Sequence, residues 1–157
     1  MVTMDLKNLV LMIPHAQRLG LRFVDTSDDE LVVEMPYNPE LEVLPGTGLI
    51  ANGAITAFLD TALGAAASAQ FNEIRRVATL DLRVDYFEKP AAYSDVRAKT
   101  RCLKVTDQLV FVQADAYVGA AEQPFAHAVA AFSHMAFTFS DGQSLNSKED
   151  ETVGQLS

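Results

Sequence analysis

Apolar residues recur along the chain with two periods, one helical and one strand-like, and polar turns separate the segments. The N-terminal part predicts two short helices, two strands joined by a polar hairpin, and a loop that holds three prolines and two glycines. We place these elements at residues 4–12, 14–19, 21–26, 31–35 and 36–48.

Residues 49–71 form the most informative segment of the chain. Apolar and small residues run through it almost without a break, and eight of them are alanine. A helix that is apolar nearly all round is buried on most sides, and many alanines let neighbouring backbone come close. A membrane span is disfavoured because Asp60 lies near the middle of the segment and Asn52 and Gly53 open it. We therefore predict a long central helix inside the fold.

The remaining apolar pattern alternates with a period of two and is rich in β-branched and aromatic residues. It predicts four long strands, at residues 77–87, 95–105, 109–118 and 125–139. Adjacent strands with short turns pair antiparallel, and one sheet must then cover the one long helix. The predicted class is α+β, a hotdog fold in which an antiparallel sheet of about six strands wraps around a central helix.

The domain prediction follows from the same pattern. Residues 1–139 are expected to form a single hotdog domain, since 157 residues suffice for one hydrophobic core and not for two. Residues 140–157 are polar and acidic without an apolar period, which predicts a disordered tail. The open edge of such a sheet favours self-association.

Charge and cysteine content exclude several classes of protein. The chain has 21 acidic and 12 basic residues, a formal charge of −9, so neither nucleic acid nor an anionic membrane is an expected partner. The single cysteine, Cys102, allows no intrachain disulfide and no cysteine-based zinc site. The N-terminal segment lacks the cationic start and apolar run of a secretory signal, which predicts a cytoplasmic protein.

The histidines and serines predict neither a metal site nor a hydrolase triad. His127 and His134 are seven residues apart on one predicted strand and so lie on opposite faces, while His15 belongs to the N-terminal helix. Ser133 is not surrounded by the Gly-x-Ser-x-Gly elbow of serine hydrolases. No metal and no cofactor is expected.

Asp60 is the first candidate for chemistry. Aspartate is a poor residue for the middle of a helix, and Asp60 is too far from the helix start to cap it. Burying its carboxylate among apolar side chains costs several kcal/mol unless it is paired or reaches a cleft. The residues alone leave two interpretations open, a cleft carboxylate and an aspartate on a solvent-facing edge of the helix.

Two stretches carry a resemblance to a known family. Residues 48–62, Gly-Leu-Ile-Ala-Asn-Gly-Ala-Ile-Thr-Ala-Phe-Leu-Asp-Thr-Ala, resemble the signature of the PaaI-like thioesterases of the 4-hydroxybenzoyl-CoA thioesterase superfamily. That signature runs glycine, two residues, His-Gly-Gly, six residues and a catalytic Asp or Glu. Residues 79–86 with Pro90 look like the strand that follows, and the likeness covers about residues 12 to 139.

The resemblance implies a homodimeric or dimer-paired tetrameric acyl-CoA thioesterase of the hotdog fold, acting on small aromatic or medium-chain acyl groups. Asp60 would be the general base or nucleophile, and the backbone N–H of Asn52, with Gly53 beside it, the oxyanion donor. Thr79 is the matching strand hydroxyl, which in the family faces the carboxylate across the subunit boundary. The implied substrate-binding residues are Ala51, Phe58, Thr61, Leu82, Arg83 and Tyr86.

The sequence departs from the family pattern at three positions. The motif histidine is Ala51, the glycine after it is Asn52, and the loop residue that is often Asn or Gln is Pro45. A backbone donor survives a side-chain change, so the oxyanion donor is compatible with these residues, while two polar helpers are lost. Two functions therefore stay open: a thioesterase, and a catalytically weak or inactive protein that binds acyl-CoA. A hotdog dehydratase is disfavoured because that chemistry needs a histidine at the position of Ala51.

Overall fold

The computed structural model describes residues 12–26, 30–73, 75–119 and 123–136. Apart from Met12, the helix predicted at residues 4–12 and the tail at residues 140–157 lie outside this part of the chain. Within it the elements are α1 (Pro14–Arg18), β1 (Arg22–Thr26), β2 (Glu30–Met35), a 3-10 helix (Pro39–Leu41), α2 (Asn52–Ser68), β3 (Arg75–Tyr86), β4 (Val96–Val105), β5 (Leu109–Val118) and β6 (Ala126–Ala136).

The six strands join one antiparallel sheet in the order β1-β2-β4-β5-β6-β3. β3 directly follows α2 in sequence but pairs with β6, so β3 forms one edge of the sheet and β1 the other. α2 packs against β2, β3, β4, β5 and β6. The predicted hotdog arrangement, an antiparallel sheet around one long helix, is confirmed.

The central helix is shorter than predicted at both ends. α2 begins at Asn52 because Ala51 is extended, with ψ 137°, and its N–H donates to the Leu41 carbonyl at 2.8 Å. Ile50 forms an isolated bridge with Glu42 and so belongs to the preceding loop. At the other end α2 stops at Ser68, and turns and bends occupy residues 69–73. Apolar content alone did not mark these boundaries.

Large side chains anchor α2 to the sheet. Ile55, Phe58, Leu59 and Leu63 are each 0% exposed. Burial of such a side chain stabilises the fold by about 1.5–3 kcal/mol relative to leaving it in water. β5 shows the matching pattern, in which alternate residues lie beneath the helix and are buried while the residues between them are more exposed. The sheet therefore has one apolar face under the helix and one polar face.

Glu34 is the one buried carboxylate among the described residues, with 3% of its surface exposed. It lies on β2, and its carboxylate accepts hydrogen bonds from the Nε atoms of Arg22 on β1 and Arg97 on β4, each at 2.6 Å. Burial raises the pKa of Glu34, but the hydrogen bonds from the two arginines outweigh it, so the pKa lies below its ordinary value of 4.5. This carboxylate ties three neighbouring strands together.

We expect Glu34→Gln to reduce the free energy of unfolding at neutral pH by about 2 kcal/mol, because two charge-assisted hydrogen bonds lose their anion. Since folding lowers the pKa of Glu34, its contribution is fully present above 4.5 and is lost as the pH falls through the folded value. Urea unfolding should therefore show the difference between wild type and variant shrinking below pH 4.5.

Glu30→Gln is the matched control on the same strand, because Glu30 is 35% exposed and pairs with Lys99 near the surface. It should change the stability little at any pH. A Glu34→Gln difference that stays constant across the acid range contradicts the assigned direction of the pKa.

Candidate active site

A cavity of about 540 Å³ opens between α2 and the edge strand β3. The helix contributes residues three or four positions apart, which lie on one of its faces, and the strand contributes three alternate residues. α1, the residue before it, and β6 close the remainder. The lining residues are Ala57, Asp60, Thr61, Gly64, Ala65 and Ser68 of α2, Arg75, Val77 and Thr79 of β3, Phe132 of β6, and Ile13 and His15.

Asp60 and Thr79 meet in this cavity. The Thr79 hydroxyl donates a hydrogen bond to Oδ1 of Asp60 at 2.8 Å, and the second oxygen of Asp60 has no protein partner within the described ranges. Of the two interpretations that the sequence left open, the structure places Asp60 at a cleft. The contact is made within one chain, whereas the family resemblance implied a hydroxyl from across the subunit boundary.

The start of α2 presents unpaired backbone donors. The carbonyl of Ala51 accepts the N–H groups of Ala54 at 3.0 Å and Ile55 at 3.2 Å. In the part of the chain that the structure describes, the N–H groups of Asn52 and Gly53 find no acceptor, and both residues are exposed. Tyr93 is the one described non-glycine residue with a positive φ, so Asn52 begins α2 without the backbone strain of that region.

The carboxylate of Glu42 organises the loop before α2. It accepts the N–H of Gly46 at 2.5 Å and the N–H of Gly48 at 2.8 Å, and the Tyr37 hydroxyl also donates to it. The hydrogen bond from Tyr37 lowers the pKa of Glu42, and the same bond raises the pKa of Tyr37 to about 12. Gly46 and Gly48 adopt positive φ angles of 83° and 69°, a conformation that glycine enters without strain.

Tyr93 covers the same loop and explains the motif glycine. A Cβ atom on Gly48 would lie 2.6 Å from the Tyr93 ring, closer than any side chain permits. The Tyr93 N–H donates to the Gly48 carbonyl at 2.9 Å, and its hydroxyl donates to the Gly46 carbonyl at 2.8 Å. Neither residue carries a sequence signal: Glu42 lies in a loop without periodicity, and the backbone partners of Tyr93 are about 45 residues away along the chain.

Of two more predicted residues, Thr61 lies in the cavity, and Tyr86 lies outside it beside the start of α2. Thr61 lines the cavity beside Asp60, although its hydroxyl donates to the Ala57 carbonyl at 3.0 Å. Tyr86 donates its hydroxyl hydrogen to the Asn52 carbonyl at 3.0 Å and lies 2.9 Å from the Thr56 hydroxyl. Tyr86 therefore fixes the first turn of α2 from the strand beside it.

The other predicted binding residues are not brought to the cavity. Phe58 is 0% exposed and belongs to the core beneath α2, and Leu82 packs against the same core. Arg83 pairs with Asp85 at 3.0 Å and lies on the face of the sheet that α2 does not cover. A register shift between Thr79 and residue 81 reverses the alternation of β3, which turns Arg83 away from the Thr79 face.

The histidines occupy opposite faces of β6, as the spacing predicted. His127 contacts Asp115 at 2.7 Å on the uncovered face. His134 is 8% exposed, accepts from Arg75 Nη1 at 2.9 Å, and donates through Nε2 to the Thr106 carbonyl at 3.0 Å. The described ranges contain no group of three or more His, Cys, Asp or Glu residues able to hold a metal ion. They also contain no helix long and apolar enough to span a membrane.

Comparison with known proteins identifies the family. A model of the thioesterase superfamily matches residues 47–123. A crystal structure from Pseudomonas aeruginosa is 30% identical, with a TM-score of 0.74 over 83% of this chain and 96% of its own. A Haemophilus influenzae thioesterase is 16% identical, with a TM-score of 0.74 over 87% and 92% of the two chains. A thioesterase family protein from Silicibacter pomeroyi is 21% identical, with a TM-score of 0.74 over 85% and 97%.

The chain belongs to the thioesterase superfamily. The matched region includes the end of the loop before α2, the unpaired N–H groups of Asn52 and Gly53, Asp60 and Thr79. No curated protein sequence matches the chain significantly. The predicted membership of the thioesterase superfamily is thus confirmed.

We expect Glu42→Gln to loosen the loop before α2, because a neutral amide offers one acceptor oxygen where the carboxylate serves three donors. Hydrogen exchange followed by mass spectrometry should show several-fold faster exchange for the segment that contains Gly46 and Gly48. Glu40→Gln, a nearby exposed change whose side chain holds no part of the loop, should leave the exchange unaltered. Equal exchange in the two variants contradicts this role for Glu42.

Proposed function

We propose that the protein is an acyl-CoA thioesterase that hydrolyses small aromatic or medium-chain acyl-CoA, with Asp60 as general base or nucleophile. The observation that carries the proposal is the Asp60 carboxylate, which lines the cavity and is oriented by Thr79 through one oxygen only. A catalytic base or nucleophile needs a free lone pair within reach of its target. The second oxygen of Asp60 meets that need.

Hydrolysis can use this carboxylate in two ways. As a general base, Asp60 takes a proton from water while the water oxygen bonds to the thioester carbon, the carbon–sulfur bond breaks, and CoA leaves as a thiolate that gains a proton. As a nucleophile, Asp60 bonds to the same carbon, expels CoA and forms an anhydride that water then hydrolyses. Both routes place negative charge on the carbonyl oxygen, which needs a donor.

The N–H groups of Asn52 and Gly53 are the donors that support this chemistry. They stand at the positive end of the dipole of α2 and have no acceptor of their own within the described chain. However, Asn52 precedes Asp60 by eight residues on one helix, a separation of about 12 Å along the axis. Since both groups must lie within about 3 Å of the reacting atoms, one chain cannot supply them to the same thioester.

A complete site therefore requires two copies of the chain, with Asp60 from one and Asn52 from the other. β3 is suited to bring them together, because it is an edge strand that holds Thr79 against Asp60. Leu80 on this strand is 61% exposed, and a partner strand that paired along β3 would cover it. We propose a homodimer, or a tetramer made of two such dimers.

The alternative function is acyl-CoA binding without useful turnover. It is favoured by the apolar residues Ala51 and Pro45, which stand where the family has a histidine and often an amide. Ala51 caps α2 without any side-chain hydrogen bond. Both functions predict that CoA esters bind, and they differ in whether Asp60 is needed for hydrolysis.

We expect Asp60→Asn to reduce turnover of the best acyl-CoA substrate by about two orders of magnitude or more, the scale of a lost general base. The amide keeps the size of the side chain and can still accept from Thr79, so the affinity for substrate should change little. A panel of acyl-CoA esters, assayed with a thiol reagent for released CoA, gives kcat and KM for both proteins.

Asp81→Asn is the matched control, because Asp81 is exposed on the same edge strand and does not line the cavity. Its turnover should equal that of wild type. A wild-type protein that hydrolyses nothing in the panel but binds CoA esters contradicts the thioesterase proposal and favours the binding protein.

We expect light scattering at micromolar concentration to give the mass of a dimer or tetramer, and Leu80→Glu to shift it toward monomer, because a charge at the free edge opposes strand pairing. Hydrolysis should fall with the dimer fraction. Leu103→Glu is the control: Leu103 is 50% exposed but lies on β4, an interior strand of the sheet. A clean monomer of wild type with full activity contradicts the two-chain site.

A further inference from the structure

The cavity has a second polar end, away from Asp60. Ser68 follows Asp60 by eight residues on the same helix, about 12 Å along its axis. Arg75 precedes Thr79 by four residues on β3, about 13 Å along the strand. Ser68 and Arg75 both line the cavity, so helix and strand bring two polar side chains to one end of it and the Asp60–Thr79 pair to the other.

Ser68 is buried and has a free hydroxyl. Its surface is 5% exposed, yet its Oγ makes no hydrogen bond with any described residue. In contrast, the hydroxyl of Thr61 on the same helix donates a hydrogen bond to the Ala57 carbonyl. No fully enclosed side-chain oxygen or nitrogen in the described chain lacks a partner, so the Ser68 hydroxyl keeps access to the cavity that it lines. A hydroxyl that opens to a cavity and has no protein partner can bond a ligand or water there.

Arg75 is held rigidly and keeps spare donors. Its Nε and Nη2 contact one oxygen of Glu73 at 2.9 and 2.7 Å, its Nη1 donates to His134 at 2.9 Å, and the guanidinium stacks 4.5 Å from the centre of the Phe71 ring. A guanidinium has five N–H groups, and these contacts use three of them. Glu73 offsets part of the charge but is itself 59% exposed, so the cation is only partly neutralised.

The residues of α2, β3 and β6 that line the cavity between its two polar ends are apolar. Gly64, Ala65, Val77 and Phe132 line the cavity and offer no side-chain donor or acceptor. A ligand that matches the polar, apolar and polar parts of the cavity has a reactive polar group, a hydrocarbon middle and a second polar group. The two polar ends are about 12 Å apart along the helix. Since C–C bonds of about 1.5 Å form a zigzag in an extended chain, a hydrocarbon chain of about ten bonds spans this distance.

We propose that Ser68 and Arg75 form a subsite for an oxygen at the far end of the acyl group, so that the preferred substrates are acyl-CoA thioesters with a terminal carboxylate or hydroxyl. This inference rests on the proposed thioesterase function, because it places the thioester at Asp60. Guanidinium and hydroxyl donors both suit an oxygen acceptor, and a carboxylate is the stronger one. An acyl chain that ends in a methyl group leaves both donors unpaired.

The test uses CoA thioethers, which cannot be hydrolysed, with chains of about eight to twelve carbons that end in a methyl, hydroxyl or carboxylate group. Calorimetry should show that wild type binds an oxygen-ended chain about tenfold more tightly than the methyl-ended chain of the same length. Ser68→Ala and Arg75→Gln should each reduce this preference by several-fold. Arg76→Gln is the matched control: this neighbouring arginine is exposed and does not line the cavity.

Arg75→Gln removes the contacts of Arg75 with Glu73 and His134 and can therefore disturb the fold. Ser68→Ala removes only one oxygen, and alanine favours a helix, so this variant tests the subsite independently. Equal or tighter binding of methyl-ended chains at every length, or a preference that survives both substitutions, overturns the subsite. Binding without end-group preference contradicts the subsite and leaves the thioesterase proposal intact. An end-group preference without any thioester turnover contradicts the thioesterase proposal and leaves the subsite intact.

Discussion

The packing of α2 against the sheet is the interaction on which both the core and the site depend. Ile55, Phe58, Leu59 and Leu63 anchor the helix, and each is wholly buried. The side of α2 that faces the edge strand instead presents small residues, so helix and β3 do not close on each other and a cavity remains. One helix thus builds the core with its large residues and a cavity with its small ones, and the core fixes the position of Asp60.

The geometry of this helix also links assembly to chemistry. An N–H donor at its first turn and a carboxylate eight residues later cannot meet at one carbonyl, because a helix rises about 1.5 Å per residue. The edge strand that presents Thr79 to Asp60 has an unpaired side, where a second chain can bring its own helix start within reach. Self-association is then a condition of the proposed reaction, since neither chain holds the donor and the base together.

The elements of the fold could be predicted because apolar periodicity is a local property. All six strands and the long helix lie where the pattern placed them, with shifts of a few residues at their ends. The site was harder to predict for two physical reasons. A helix that is apolar all round does not reveal which side meets the core, so Phe58 was expected at the cavity and is buried beneath the helix. On β3, the irregularity after Thr79 reverses the alternation of side chains, so Arg83 lies on the other face. A strict period of two along the sequence does not predict such an irregularity.

Ala51 stands where the signature that the sequence resembles has a histidine, and its role in this fold belongs to its backbone. The backbone of Ala51 bonds to Leu41 on one side and caps the first turn of α2 on the other, neither of which needs the imidazole. The loop before it is shaped by the Glu42 carboxylate and by the ring of Tyr93 over Gly48, and neither contact involves the side chain of Pro45. The donors at Asn52 and Gly53 are therefore products of the fold and persist without the histidine. Under the proposed function, the substitutions remove groups that would polarise the thioester and leave those that hold its oxyanion.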